Sequence, residues 1–154
     1  IANLLEAKEA EGKKLAEDMI NRLELINENI LNISQYSTGL IDQYVVKLKD
    51  RIKEMLQTDI VDEARISQEV VLYADKTSIE EEITRLKSHI VQFKELLQSE
   101  SIKKAGKRLD FIIQEMNREV NTIGSKSNCL EITNLVIELK TELEDVREQV
   151  QNIE

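Results

Sequence analysis

Residues 106 to 128 read Gly106-Lys-Arg-Leu-Asp-Phe-Ile-Ile-Gln-Glu-Met-Asn-Arg-Glu-Val-Asn-Thr-Ile-Gly-Ser-Lys-Ser-Asn128, and their spacing decides the kind of fold the chain adopts. Leu109, Ile112, Ile113, Met116, Val120 and Ile123 fall within about 100° of one another on a wheel of 3.6 residues per turn, the mark of a helix with one face in a core. Beside that stripe, Asp110, Gln114, Asn117 and Asn121 recur at intervals of four, three and four, and Glu119 sits on the opposite flank. Solvated helix faces are usually built from Glu and Lys. Asp and Asn favour caps and turns and carry a penalty of roughly half a kcal/mol each inside a helix, so this flank needs a reason other than solubility. Gly124 reads as a left-handed cap, and Asn128-x-x-Glu131 opens a last helix with the stripe Ile132, Leu135, Leu139, Leu143, Val146, Val150 and Ile153.

Composition agrees with helix throughout. The 154 residues contain no Pro and four Gly, 3% are aromatic and 33% are charged, which predicts an all-α chain of five to seven helices without sheet. The length suits one domain with or without an extended hairpin. A net charge of −9 argues against a surface that is basic throughout and confines any phosphate contact to patches or cations. The single Cys129 cannot pair internally, and no apolar run of about 18 residues is present, so the expected location is the reducing cytoplasm, away from membrane.

Upstream, residues 3 to 35 predict one long helix with a heptad seam of Met19, Leu23, Ile26, Ile30 and Ile33. Tyr36-Ser-Thr-Gly39 supplies a turn, and Ile41, Val45, Leu48, Ile52 and Met55 repeat the spacing. Residues 1–58 are therefore expected to form a long antiparallel helical hairpin, and residues 59–154 a bundle of roughly four helices. Asp62 caps the first of these. Thr77 or Ser78, with Glu80 or Glu81, opens the next, whose core stripe is Ile79, Ile83, Leu86, Ile90, Phe93 and Leu97. Glu82, Arg85 and His89 line the edge of that stripe. A lone His beside an apolar face is more often a satisfied core residue than a ligand, but Glu82, seven residues earlier on the same face, is placed to orient the imidazole or share a metal with it.

The stretch Ser101 to Arg108 reads as a turn carrying Lys103, Lys104, Lys107 and Arg108, the densest basic cluster in the chain. It is either a solvated loop or a clamp for a phosphate backbone. No glycine-rich phosphate loop, paired cysteine ligands, nucleophile elbow or aromatic stacking ladder is present.

The runs Gly106 to Phe111, Gln114 to Glu119 and Asn121 to Lys126 resemble the signature of the bacterial YicC/YloC family, once called stress-induced proteins and now regarded as endoribonucleases. Glu11-Gly12, Arg65 to Glu69, Glu81-Glu82, Arg85-Leu86, His89 and the terminal Arg147 to Glu154 match the same family in the same order. The likeness spans the chain and is to the carboxyl-terminal half of the family, so the chain is expected to be a piece of a longer protein. Where the family usually has Asp, this chain has Ser78, which favours a structural role there.

The resemblance implies a metal-dependent endoribonuclease that cleaves RNA phosphodiester bonds with Mn²⁺ or Mg²⁺. Its expected catalytic residues are His89, Asp110, Glu115 and Glu119, its metal ligands Glu82, His89, Asp110 and Glu119, and its RNA contacts Lys107, Arg108, Arg118 and Lys126. Partners implied are RNA rather than DNA, and a ring-shaped homo-oligomer, a hexamer in full members and smaller for this half. The competing expectation is a non-catalytic helical oligomerisation module, in which the polar groups form buried networks that fix register.

Overall fold

The computed structural model describes residues 1–56, 62–99 and 102–153, and these form five helices with no strand among the described residues. They are α1 (Ala2–Leu56), α2 (Glu63–Thr77), α3 (Glu80–Ser99), α4 (Ile102–Lys126) and α5 (Leu130–Ile153). The all-α class expected from the sequence is what the chain adopts. None of the described helices is long and apolar enough to cross a membrane.

Four of the five helices close a ring. α4 packs between α3 and α5, and α1 touches both of those, so the neighbours run α1, α3, α4, α5 and back to α1. Cross-helix contacts set the directions. Glu82 meets Lys126 while Arg85 meets Glu119, so α3 and α4 are antiparallel. Asp110 meets Arg147 while Gly124 faces Val136, so α4 and α5 are antiparallel as well. The core fills the middle of this up-down bundle with Met19 to Ile33 from α1, Ile83 to Leu97 from α3, Leu109 to Ile123 from α4 and Ile132 to Val150 from α5. Phe93, the bulkiest of the fully buried side chains, lies among them.

The expected hairpin is corrected by α1. Tyr36-Ser-Thr-Gly39 makes no turn; the helix runs through it without interruption to Leu56. Glycine inside a helix costs only about 1 kcal/mol relative to Ala. The Thr38 hydroxyl finds a partner in the Gln35 carbonyl at 2.8 Å. More decisively, the apolar positions stay in helical phase across the segment, since Ile33 is followed by Leu40, Tyr44 and Leu48. With no reversal the two seams cannot zip together. Ile41 and Met55 are accordingly exposed, Met55 to 76%.

The four-helix bundle expected from residue 59 onward thus takes its first helix from α1 instead of α2. α2 buries only Ile66 and lies along the far part of α1, where Tyr44 and Tyr73 stack with ring centroids 3.9 Å apart and Lys49 pairs with Glu63 at 3.6 Å. The expected boundary at 58/59 lies outside the described residues.

Three local expectations also change. Asp62 caps α2 as expected, accepting from the Ala64 and Arg65 amides. Thr77 and Ser78, however, close α2 rather than opening α3, because the Thr77 hydroxyl donates to the Tyr73 carbonyl and the Ser78 amide to that of Ala74. The basic stretch expected as a turn is helical from Ile102 onward, with Ser101 outside the described residues. Gly124 is no left-handed cap, since α4 continues to Lys126. Its role is closeness: an added Cβ would sit 3.3 Å from Val136 Cγ1 on α5.

The uninterrupted helix makes a direct prediction. Nothing lies within 4 Å of a Cβ placed at Gly39. Gly39→Ala should therefore raise the unfolding free energy by about 0.5–1 kcal/mol, read from the urea midpoint, whereas a turn requiring glycine would make the same change destabilising.

Candidate functional site

The polar groups singled out in the sequence fall into three sets, separated by the sides of α4. The first lies at the α3/α4 contact. The side chain of Glu82, in the first turn of α3, is carried under α4 by the core stripe on either side of it, and the residue is 2% exposed. Lys126 Nζ donates to its Oε1 at 2.7 Å and to the Ser78 carbonyl at 3.2 Å. Arg85, one turn along, donates through Nε to Glu119 Oε1 at 2.8 Å and reaches Glu82 and Glu81 at 3.7 and 3.5 Å. Five charged side chains therefore form one connected network. Burial pushes the Glu82 carboxyl up, but the Lys126 hydrogen bond, its own backbone amide and the Lys126 and Arg85 charges outweigh that and hold it below its ordinary value.

Two buried polar atoms on α3 have no partner, Glu82 Oε2 and His89 Nδ1. They belong to two of the residues expected from the sequence as metal ligands, set seven positions and roughly 10 Å apart along the helix axis.

The second set lies on the opposite side of α4. Asp110 accepts from Gln114 Nε2 at 3.0 Å and from Arg147 Nε of α5 at 3.1 Å. Asp110 and Gln114 on the polar flank of the signature helix thereby find partners, and the carboxyl-terminal stretch docks on α4 through Arg147 beside buried Val146 and Val150. Asp110 and Glu119 therefore face different neighbours. Among the described residues no three His, Cys, Asp or Glu come together as a metal-holding group. The four expected ligands do not converge within one chain.

The third set faces solvent. On the wheel of α4, Lys104, Lys107, Phe111 and Arg118 fall within about 60° of one another, over roughly 21 Å of axis and pointing away from the core. All four are exposed, Phe111 to 62%. Arg118 pairs with Glu115 at 3.2 Å, and Arg108 turns toward α3. Between the end of α3 and the start of α4 an open groove of about 560 Å³ is lined by Gln92, Glu95, Leu96, Lys107, Arg108 and Phe111 among others.

Of the expected RNA contacts, Lys107 and Arg118 share the outer strip, Arg108 lines the groove beside it, and Lys126 is held by Glu82 and Ser78. The expected catalytic residues divide the same way: Glu119 in the α3/α4 network, Asp110 against α5, Glu115 beside Arg118, and His89 half-buried on α3. Phe111 was absent from the sequence expectation. Its signal was available, as it is the aromatic on this helix out of phase with the apolar stripe.

The buried clasp has a pH signature. A carboxyl whose folded pKa lies below its unfolded value contributes stability that is fully present above the unfolded value, here 4.5, and lost as pH falls through the lower folded value. Glu82→Gln should therefore flatten the acid limb of the urea midpoint below about pH 4.5 relative to the parent. Lys126→Met, which strands the carboxylate, should cost about 2 kcal/mol near neutral pH, less than the roughly 3–5 of a fully buried pair because Lys126 is 32% exposed.

Comparison with known proteins bears on this arrangement. The family model described as "Endoribonuclease YicC-like, C-terminal" matches residues 33–154. A protein of Clostridioides difficile strain 630 named "Probable endoribonuclease YicC" is 53% identical over 156 aligned residues, covering 100% of this chain and 52% of the relative. A protein of the same name from Haemophilus influenzae is 33% identical over 144 residues, covering 94% of this chain and 49% of the relative. The chain spans about half the length of the curated relatives it matches.

Proposed function

The chain belongs to the YicC-like endoribonuclease family, and we propose that it binds RNA along the outer face of α4 and takes part in cleaving the phosphodiester backbone. The observation that supports this most directly is the strip of Lys104, Lys107 and Arg118 on one exposed helix face of a chain whose net charge is −9. Such a strip does what the bulk of the surface cannot: it offers point charges and a guanidinium fork to successive phosphates, and its field is local.

The neighbouring groups divide the remaining work. Arg85 is held against Glu119 and beside Glu82, so its guanidinium is fixed in place at the edge of the α3/α4 contact. His89, one turn further along α3, carries the chain's only imidazole, a group able both to accept and to donate a proton. In this reading His89 moves the proton and the cations steady the charge on phosphorus. A divalent metal, Mn²⁺ or Mg²⁺, was expected at Glu82, His89, Asp110 and Glu119; because those groups do not converge in this chain, no step is assigned to it. The commitment of Glu82, Arg85, Glu119 and Lys126 to one another also supports the second reading, a module whose polar groups fix helix register while chemistry is done elsewhere.

Binding and turnover separate the two. Lys107→Gln should weaken binding of a labelled single-stranded RNA and reduce the slope of log K against log salt by about 0.7. His89→Ala should abolish single-turnover cleavage with RNA affinity kept. Equal cleavage by parent and His89→Ala, with both folded, would leave the register reading standing. Calorimetric titration with Mn²⁺ tests the metal: stoichiometric heat that disappears in Asp110→Asn would restore Asp110 as a ligand.

A further inference from the structure

Phe111 is one of only two phenylalanines in 154 residues, and the other, Phe93, is wholly buried. Helical phase alone would let the core stripe of α4 do without it, since Leu109, Ile112 and Ile113 already face inward around it. Instead its ring stands 62% exposed at the mouth of the groove between α3 and α4. Lys107 lies one turn before it, and Lys104 a further turn back, on the same strip. Both are exposed, and among the described residues Glu95 is the acidic residue lining the groove. Leu96 and Ile112 give the groove an apolar floor, while Gln92 brings a carboxamide to its edge.

An exposed aromatic ring beside lysines spaced along one helix face suits a ligand that alternates a flat apolar plate with a negative charge. RNA whose bases are unpaired is such a ligand; a duplex is not, because its plates are stacked on one another inside the helix. We infer that this face takes single-stranded RNA, with an unpaired base stacked on Phe111 and the adjoining phosphates held by Lys104 and Lys107. The groove, about 560 Å³, is within the range that accommodates a small-molecule-sized group such as one nucleotide. This inference rests on the RNA reading above and narrows it to strands with unpaired bases.

The stacking partner can be observed directly, because the chain contains no tryptophan. In the F111W variant, fluorescence excited at the indole comes from that one position. Titration with a 12-nucleotide oligouridylate should quench it, and a blunt duplex of the same length should not. By anisotropy, F111A should bind the oligouridylate about tenfold more weakly than the parent. F111W should restore the affinity and F111L should not. K107Q should lower the salt slope, while F111A leaves it unchanged. Sedimentation of every variant should match the parent. Unchanged affinity in F111A, equal losses on single strand and duplex, no indole quenching, or an altered sedimentation coefficient would each overturn the inference while leaving RNA binding intact. A parent chain that binds neither RNA would overturn the RNA reading and this inference with it.

Discussion

One carboxylate, Glu82, lies among side chains that are otherwise apolar, and the arrangement of the α3/α4 contact follows from what that burial requires. A charged group removed from water needs a partner of opposite charge and hydrogen bonds of good geometry, or it costs several kcal/mol. Lys126 meets that need from the last turn of α4, 44 residues away in sequence, and Arg85 and Glu119 extend the pairing one turn further. Slipping α3 by one turn against α4 would keep most apolar contacts but strand Glu82. The ion network thus commits Glu82, Arg85, Glu119 and Lys126 to one alignment of α3 against α4.

That register in turn decides which sides of α4 are spoken for. One flank is occupied by α3 with Glu119, the other by α5 with Asp110, and the core stripe lies between. The strip with Lys104, Lys107, Phe111 and Arg118 is left to solvent. The charged groups along residues 104 to 126 are therefore partly sorted in space: Asp110 and Glu119 turn toward neighbouring helices, Lys126 turns inward to Glu82, and Lys104, Lys107 and Arg118 face outward, Arg118 beside Glu115. A sorted surface of this kind lets an acidic chain present a locally positive face without like-charge repulsion inside the bundle.

The long first helix plays two parts. From Met19 to Ile33 it completes the ring of four, and Arg22 ties it to α5 through Glu142 at 3.4 Å and Asp145 at 3.2 Å. Beyond that it carries Tyr44 to the stack with Tyr73 and leaves the ring behind. At about 1.5 Å per residue its 55 residues extend roughly 80 Å, more than twice the length of α4.

Local periodicity was enough to determine the class of fold, the apolar stripes of α1, α3 and α4 and most of that of α5, where buried Val136 was missed, the Asp62 cap and the flank of α4 that carries Asp110, because each of these depends on residues a few positions apart. Asp110 and Gln114 meet within one turn, and that contact could be read from their spacing. The continuity of α1 through Gly39 could not, since a Ser-Thr-Gly run is a turn signal whose cost inside a helix is only about 1 kcal/mol and is overridden by packing on either side. Gly124 could not be read either: its meaning is the 3.3 Å approach to Val136, a fact about two helices. The same holds for the candidate site. Spacing put Glu82 and His89 on one face, but only the tertiary structure decided that Glu82 is clasped by Lys126, that Asp110 and Glu119 look in opposite directions, and that Phe111 stands outside. Those outcomes depend on which helices become neighbours, and the neighbours are chosen by burying all the stripes at once.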